Sequence, residues 1–132
     1  MHNTGHCHCG AVSFTIEGAP LRMAQCHCNA CRRSTGTGHS VQAFFKKDQV
    51  EIKGETITHE STADSGNTRK RQFCAQCGSR LFSESSANPV AIGVAVGALD
   101  ETEWFKPDVI VYNSERSAWD VVDPSIELHD MM

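Results

Sequence analysis

The chain has 132 residues, 39% of them hydrophobic and 21% charged, a length and balance that predict a single domain over residues 1–132 with a core that needs no disulfide staples. A formal charge of -4 disfavours a nucleic-acid partner. Seven cysteines cannot all pair within a monomer, no apolar leader opens the chain, and the longest apolar run, Pro89 to Leu99, falls far short of the roughly 20 residues of a spanning helix, so a cytoplasmic protein with no membrane segment is expected.

Turn residues are dense and helical periodicity is scarce, which predicts short strands. Val12, Phe14 and Ile16 alternate with Ser13 and Thr15, the pattern of a half-buried strand, and Leu21 and Met23 continue it towards Cys26. His39 to Phe45, Val50 to Lys53 and Thr56 to Glu60 read as further strands, separated by turns at Lys47-Asp48 and Gly54-Glu55. After the loop Asp64-Ser65-Gly66-Asn67, a strand runs through Arg71 and Phe73 into Cys74. Arg80 to Glu84, Val90 to Val96 and Val109 to Tyr112 complete the set. The run from Val90 is apolar on both faces apart from Gly93, as in a central strand approached closely by its neighbours. Helix is expected only near Cys28 to Ser34 and for a turn after Asp100. The fold class is therefore all-β, with a meander as the simplest arrangement.

The cysteines fall into three tight clusters: Cys7-His8-Cys9-Gly10, Cys26-His27-Cys28-Asn29-Ala30-Cys31 and Cys74-Ala75-Gln76-Cys77-Gly78. Thiolates two or three residues apart can grip one tetrahedral ion, whereas buried cysteines that act only as small hydrophobes do not cluster at ligand spacing. The first and third clusters each carry glycine directly after the second cysteine, which relieves the backbone where it curls around sulfur. Together they supply four thiolates, the closed set of a structural zinc: Cys7, Cys9, Cys74 and Cys77. Cys26, Cys28 and Cys31 remain, three ligands with one position open, which is the arrangement of a catalytic zinc; a histidine, with His27, His39 and His59 as candidates, is the other way to close it.

His27 lies between two of these cysteines, and in an extended segment its ring points away from the sulfurs, so a supporting contact or an exposed position is expected of it before ligation. Arg32 and Arg33 follow the cluster and are candidates to hold the carboxylates of an acidic substrate. The run Arg69, Lys70, Arg71 places two arginines on one face of a strand; a solvated face is the simpler reading of it than a phosphate site. Trp104, Tyr112 and Trp119 are expected in core or rim packing, with pocket lining as the alternative.

The motifs CHCG at Cys7 to Gly10, CHCNACRRSTG at Cys26 to Gly36 and FCAQCGSRLF at Phe73 to Phe82 resemble, in order and separation, the glutathione-dependent formaldehyde-activating enzyme family, also called the GFA or CENP-V-like family. The resemblance covers roughly His6 to Glu127 and extends, more faintly, to Trp119, Asp123 and Pro124. It implies an Mss4-like fold of several small antiparallel sheets organised around two Zn2+ ions. In it, Cys7, Cys9, Cys74 and Cys77 match the structural ligands, and Cys26, Cys28 and Cys31 match the catalytic ones.

The chemistry implied is carbon–sulfur bond formation or cleavage, in which glutathione adds to formaldehyde to give S-hydroxymethylglutathione. A carbon–sulfur lyase is thus expected, with a small-molecule thiol and an aldehyde as partners and with His27 and Arg32 as further candidate site residues. A non-catalytic Mss4-like zinc-binding interaction module is the alternative. No short motif marks a glutathione site.

Overall fold

A computed structural model describes all 132 residues. Its strands are β1 (His2–His6), β2 (Ser13–Glu17), β3 (Arg22–Cys26), β4 (Ser40–Lys46), β5 (Val50–Lys53), β6 (Thr56–Thr62), β7 (Thr68–Cys74), β8 (Arg80–Ser85), β9 (Ala91–Ala95), β10 (Val109–Val111) and β11 (Glu127–Leu128), with one helix, α1 (Asn29–Thr35). The all-β class is borne out, and α1 forms where the sequence placed its first helical turn.

The strands divide into a three-stranded sheet, β1-β2-β5, and an eight-stranded sheet in the order β11-β10-β3-β4-β9-β8-β7-β6. Only β6 to β9 form an uninterrupted meander. β5 crosses to the small sheet to pair with β2, so β4 takes β9 as its second neighbour. β10 runs parallel to both β3 and β11, so the pairing is not wholly antiparallel.

The main core lies between the sheets. Phe14 and Ile16 from the small sheet, with Val12 just before β2, meet Ala43, Phe45, Phe82, Ile92 and Val94 from the large one. The alternation in β2 that fixes its register is thus the alternation that builds the core, and Phe14 packs edge-on against Phe82 with ring centroids 5.1 Å apart.

Two segments depart from expectation. β1 contains no large apolar residue; its inward positions are Asn3 and Gly5, both buried. A side chain at Gly5 would overlap the Phe14 ring and the Ala98 carbonyl, so the polar-looking strand is held by close backbone approach. The helical turn expected after Asp100 lies instead before it, as a 3-10 turn over Val96–Ala98. The later segment makes only a tight turn in which Phe105 N–H donates to the Thr102 carbonyl.

Gly93 occupies the centre of β9, itself central in the large sheet, as its sequence predicts. A Cβ there would lie inside the van der Waals shells of Gln42 Oε1, Ser83 Oγ and Phe44 Cε1. Gly93 therefore leaves a hollow on the sheet face opposite the core. Gly93→Ala is expected to cost about 1–3 kcal/mol through overpacking, read as a lower denaturant midpoint at unchanged slope.

Candidate metal centres and the adjoining cleft

The first and third cysteine clusters meet although 65 residues separate Cys9 from Cys74. The four sulfurs lie within 4.8 Å of one another, with Cys7 to Cys9 at 3.6 Å and Cys9 to Cys74 at 3.8 Å. Zn–S bonds of about 2.3 Å in a tetrahedron require sulfur separations of about 3.8 Å, so the set fits one ion.

Each half is built alike. Gly10 and Gly78 take φ of 81° and 77°, the left-handed region that L side chains avoid. The turns aim amide N–H groups at sulfur: Val12 to Cys7 at 3.3 Å, Ala11 to Cys9 at 3.5 Å, and Gln76 and Cys77 to Cys74 at 3.4 Å each. Amide N–H groups aimed at sulfur in this way are the supporting contacts of a thiolate metal site. His8 N–H donates to Ser79 Oγ at 3.1 Å and laces the halves together.

The middle cluster is set by the junction of β3 and α1. Cys26 ends β3, Cys28 caps α1 with its sulfur accepting from Cys31 N–H at 3.2 Å, and Cys31 is buried in the first turn. The three sulfurs lie within 4.8 Å of one another, and no histidine nitrogen or carboxylate joins the set. Crowding with Cys28 and Cys31 pushes the Cys26 thiol far up, while bonds from Cys26 and Cys28, with help from Ser40 and Arg80, hold Cys31 far down. Three sulfurs this close together could hold one cation.

None of the three histidine candidates closes the site. His27 is wholly buried with its ring turned from the sulfurs: Nε2 meets Gln25 Nε2 at 2.9 Å, and Nδ1 lies 3.1 Å from Asp120 Oδ2. His39 Nδ1 reaches the same carboxylate oxygen at 2.6 Å. His27, His39 and Asp120 form a separate group that pins the C-terminal segment against the start of β4. His59 lies on β6 at the far edge of the large sheet.

Arg80 joins the site without belonging to any of the three cysteine clusters. Its position, directly after Gly78-Ser79 and the second half of the four-cysteine site, is the signal that would have found it. The guanidinium donates to Ser34 Oγ on α1 at 3.1 Å and lies against Cys31, so it ties the two cysteine sites together. Arg32 sits in the last turn of α1, where its carbonyl accepts from Gly36, and does not reach the cleft described next.

A cleft opens beside the middle cluster. Its recess, about 40 Å3, is walled by Cys26, Cys31, Ser40 and Gln42. Arg22, Phe44, Arg69 and Met132 continue from the recess into a mouth of about 340 Å3 that also touches Tyr112 and Ser83. Of the aromatic candidates, Tyr112 thus lines the cleft, Trp104 packs on the main core, and Trp119 is exposed.

The fold and site define a class: a small all-β protein with one closed set of four thiols and one open set of three beside a cleft. Residues 2–115 match the family model described as glutathione-dependent formaldehyde-activating enzyme, and the chain belongs to that family. A Halomonas elongata protein named "Putative glutathione-dependent formaldehyde-activating enzyme" is 28% identical over 101 residues; the match takes in 73% of this chain and 64% of that protein, so the chain spans less than two thirds of its relative's length. A crystal structure of a Rhodobacter sphaeroides protein superposes with a TM-score of 0.59 at 27% identity, covering 79% of this chain and 91% of that one. No helix is long and apolar enough to cross a membrane.

Proposed function

We propose that the protein is a zinc-dependent carbon–sulfur lyase that forms or cleaves the glutathione adduct of formaldehyde, S-hydroxymethylglutathione, or the adduct of a related small electrophile. The observation that carries this reading is the set of three sulfurs with no fourth protein donor, opening onto the recess of a cleft. Two Zn2+ ions per chain are assigned: one to Cys7, Cys9, Cys74 and Cys77 as the structural ion, the other to Cys26, Cys28 and Cys31.

In the forward direction the thiol sulfur bonds to the formaldehyde carbon, the carbon–oxygen double bond becomes single, and the thiol proton ends on that oxygen. Cys26, Cys28 and Cys31 would hold the zinc ion, which when bound would supply Lewis acidity for thiol deprotonation or carbonyl polarisation. Ser40 and Gln42 give the recess the polar groups that orient the small electrophile. The guanidinium of Arg80 offsets the charge of a three-thiolate set, and His27, bonded to Gln25, fixes the junction of β3 and α1 that carries Cys26 and Cys28. Unpaired cysteines throughout accord with a cytoplasmic location.

The alternative of a non-catalytic interaction module predicts a second metal that is absent or closed by a histidine, and an exposed apolar patch in place of a pocket; against the histidine branch, His27 and His39 lie beside Asp120. The test is exchange NMR of formaldehyde with glutathione. Zinc-loaded protein is expected to broaden or accelerate the exchange between free and adduct signals, and no acceleration at full zinc occupancy would remove the formaldehyde reading.

A further inference from the structure

No arginine takes part in an ion pair in this protein; every pair uses lysine or histidine. That is unremarkable for exposed arginines and costly for buried ones. Arg71 is only 7% exposed, so the solvated face expected of the Arg69-Lys70-Arg71 run is corrected. One of its terminal nitrogens donates to Ser61 Oγ at 3.1 Å, and its Nε is buried without a partner. Arg69 Nε is buried without a partner too, and the guanidinium otherwise meets only the Met132 sulfur at 4.0 Å.

The register shows what these groups face. Arg69 and Arg71 stand opposite Ser85 and Ser83, Ser83 opposite Gly93, Gly93 opposite Phe44, and Phe44 opposite Arg22. Residues directly opposite share a face, and alternation along β3 and β4 puts Cys26 and Ser40 on that face as well. The sheet curls until Arg22 and Arg69 line the same recess as Cys26 and Cys31. Glu84 borders the cleft, but its carboxylate is already taken by Lys47 at 2.5 Å and Gln72 at 2.9 Å.

We propose that Arg22 and Arg69, backed by the buried guanidinium of Arg71, form a carboxylate-binding subsite that selects thiol substrates bearing negative charge and passes over neutral ones. This rests on the reading that thiol chemistry occurs at Cys26, Cys28 and Cys31. A carboxylate seated there supplies the counter-charge the arginines lack and leaves the sulfur end of the ligand directed into the recess. Charge of the thiol, rather than contact with every atom of a tripeptide, then sets specificity.

The test uses the zinc-loaded full chain and S-methylglutathione, whose blocked sulfur permits binding without reaction, beside its diethyl ester, in which both carboxylates are masked. Calorimetry is expected to show the acid binding at least about tenfold more tightly than the ester. Arg69→Ala and Arg22→Ala are each expected to weaken the acid by about tenfold and to leave the ester unchanged, with circular dichroism confirming the fold. Equal affinity for acid and ester, no binding of the acid, or an unchanged affinity in Arg69→Ala overturns the proposal. If the acid binds through Arg69 while formaldehyde exchange is never accelerated, the catalytic reading fails and the subsite stands.

Discussion

Cys77→Ser is expected to unfold the protein rather than to silence it. The four-cysteine set joins the turn after β1 to the turn after β7, and its sulfurs have the spacing of one tetrahedral ion. Binding a structural zinc contributes about 10–16 kcal/mol in small domains, as much as or more than the roughly 5–15 kcal/mol by which a whole domain is stable. A serine hydroxyl is a poor zinc ligand, so most of that contribution is lost. The measurements are zinc content per chain and thermal unfolding by circular dichroism, with loss of the cooperative transition as the expected result. A chelator strong enough to strip the closed site from the unaltered protein should reproduce the variant.

Cys28→Ser is expected to do the reverse: a folded protein with one zinc in place of two and carbon–sulfur lyase activity reduced by more than about a hundredfold. The fold survives because Cys28 is also the N-cap of α1, where its sulfur accepts from Cys31 N–H, and serine is among the best residues at that position. The substitution therefore removes a ligand while keeping the cap, whose own contribution changes by about 1 kcal/mol or less; any further destabilisation is the binding free energy of the one lost ion. Two variants that unfold alike would show that the division of the cysteines into four and three is wrong.

The sequence made visible whatever depends on local spacing. Alternation from Val12 to Ile16 marks β2 and its inward face, Gly93 marks the close approach at the centre of the large sheet, and glycines after Cys9 and Cys77 mark the matching turns. Cluster spacing also brought out the grouping of thiols that the structure assembles. What stayed hidden depends on how distant segments curve together. β1 has Asn3 and Gly5 where a strand signal would need apolar side chains. The helical turn expected after Asp100 had no periodicity to support it.

The cleft is the clearest case. Arg32 and Arg33 adjoin the cysteines in the chain, whereas Arg22 and Arg69 adjoin them in space. β7 lies four positions from β3 in the sheet order, and only the curl of the intervening strands brings Arg69 over Cys26. Asp120 carries no local signal for a similar reason: its neighbours, His27 and His39, are far off in sequence.

The long span between Cys9 and Cys74 also bears on how the molecule is made. Cys74 and Cys77 can capture an ion as soon as their turn forms, while the partner pair must be recovered from across a 65-residue loop. Until it arrives, a half-coordinated ion has vacant positions that the N-terminal pair of another chain can fill equally well. On the proposed zinc assignment, refolding from the metal-free state would be a competition between intramolecular closure and exchange between chains, won by dilution rather than by added zinc.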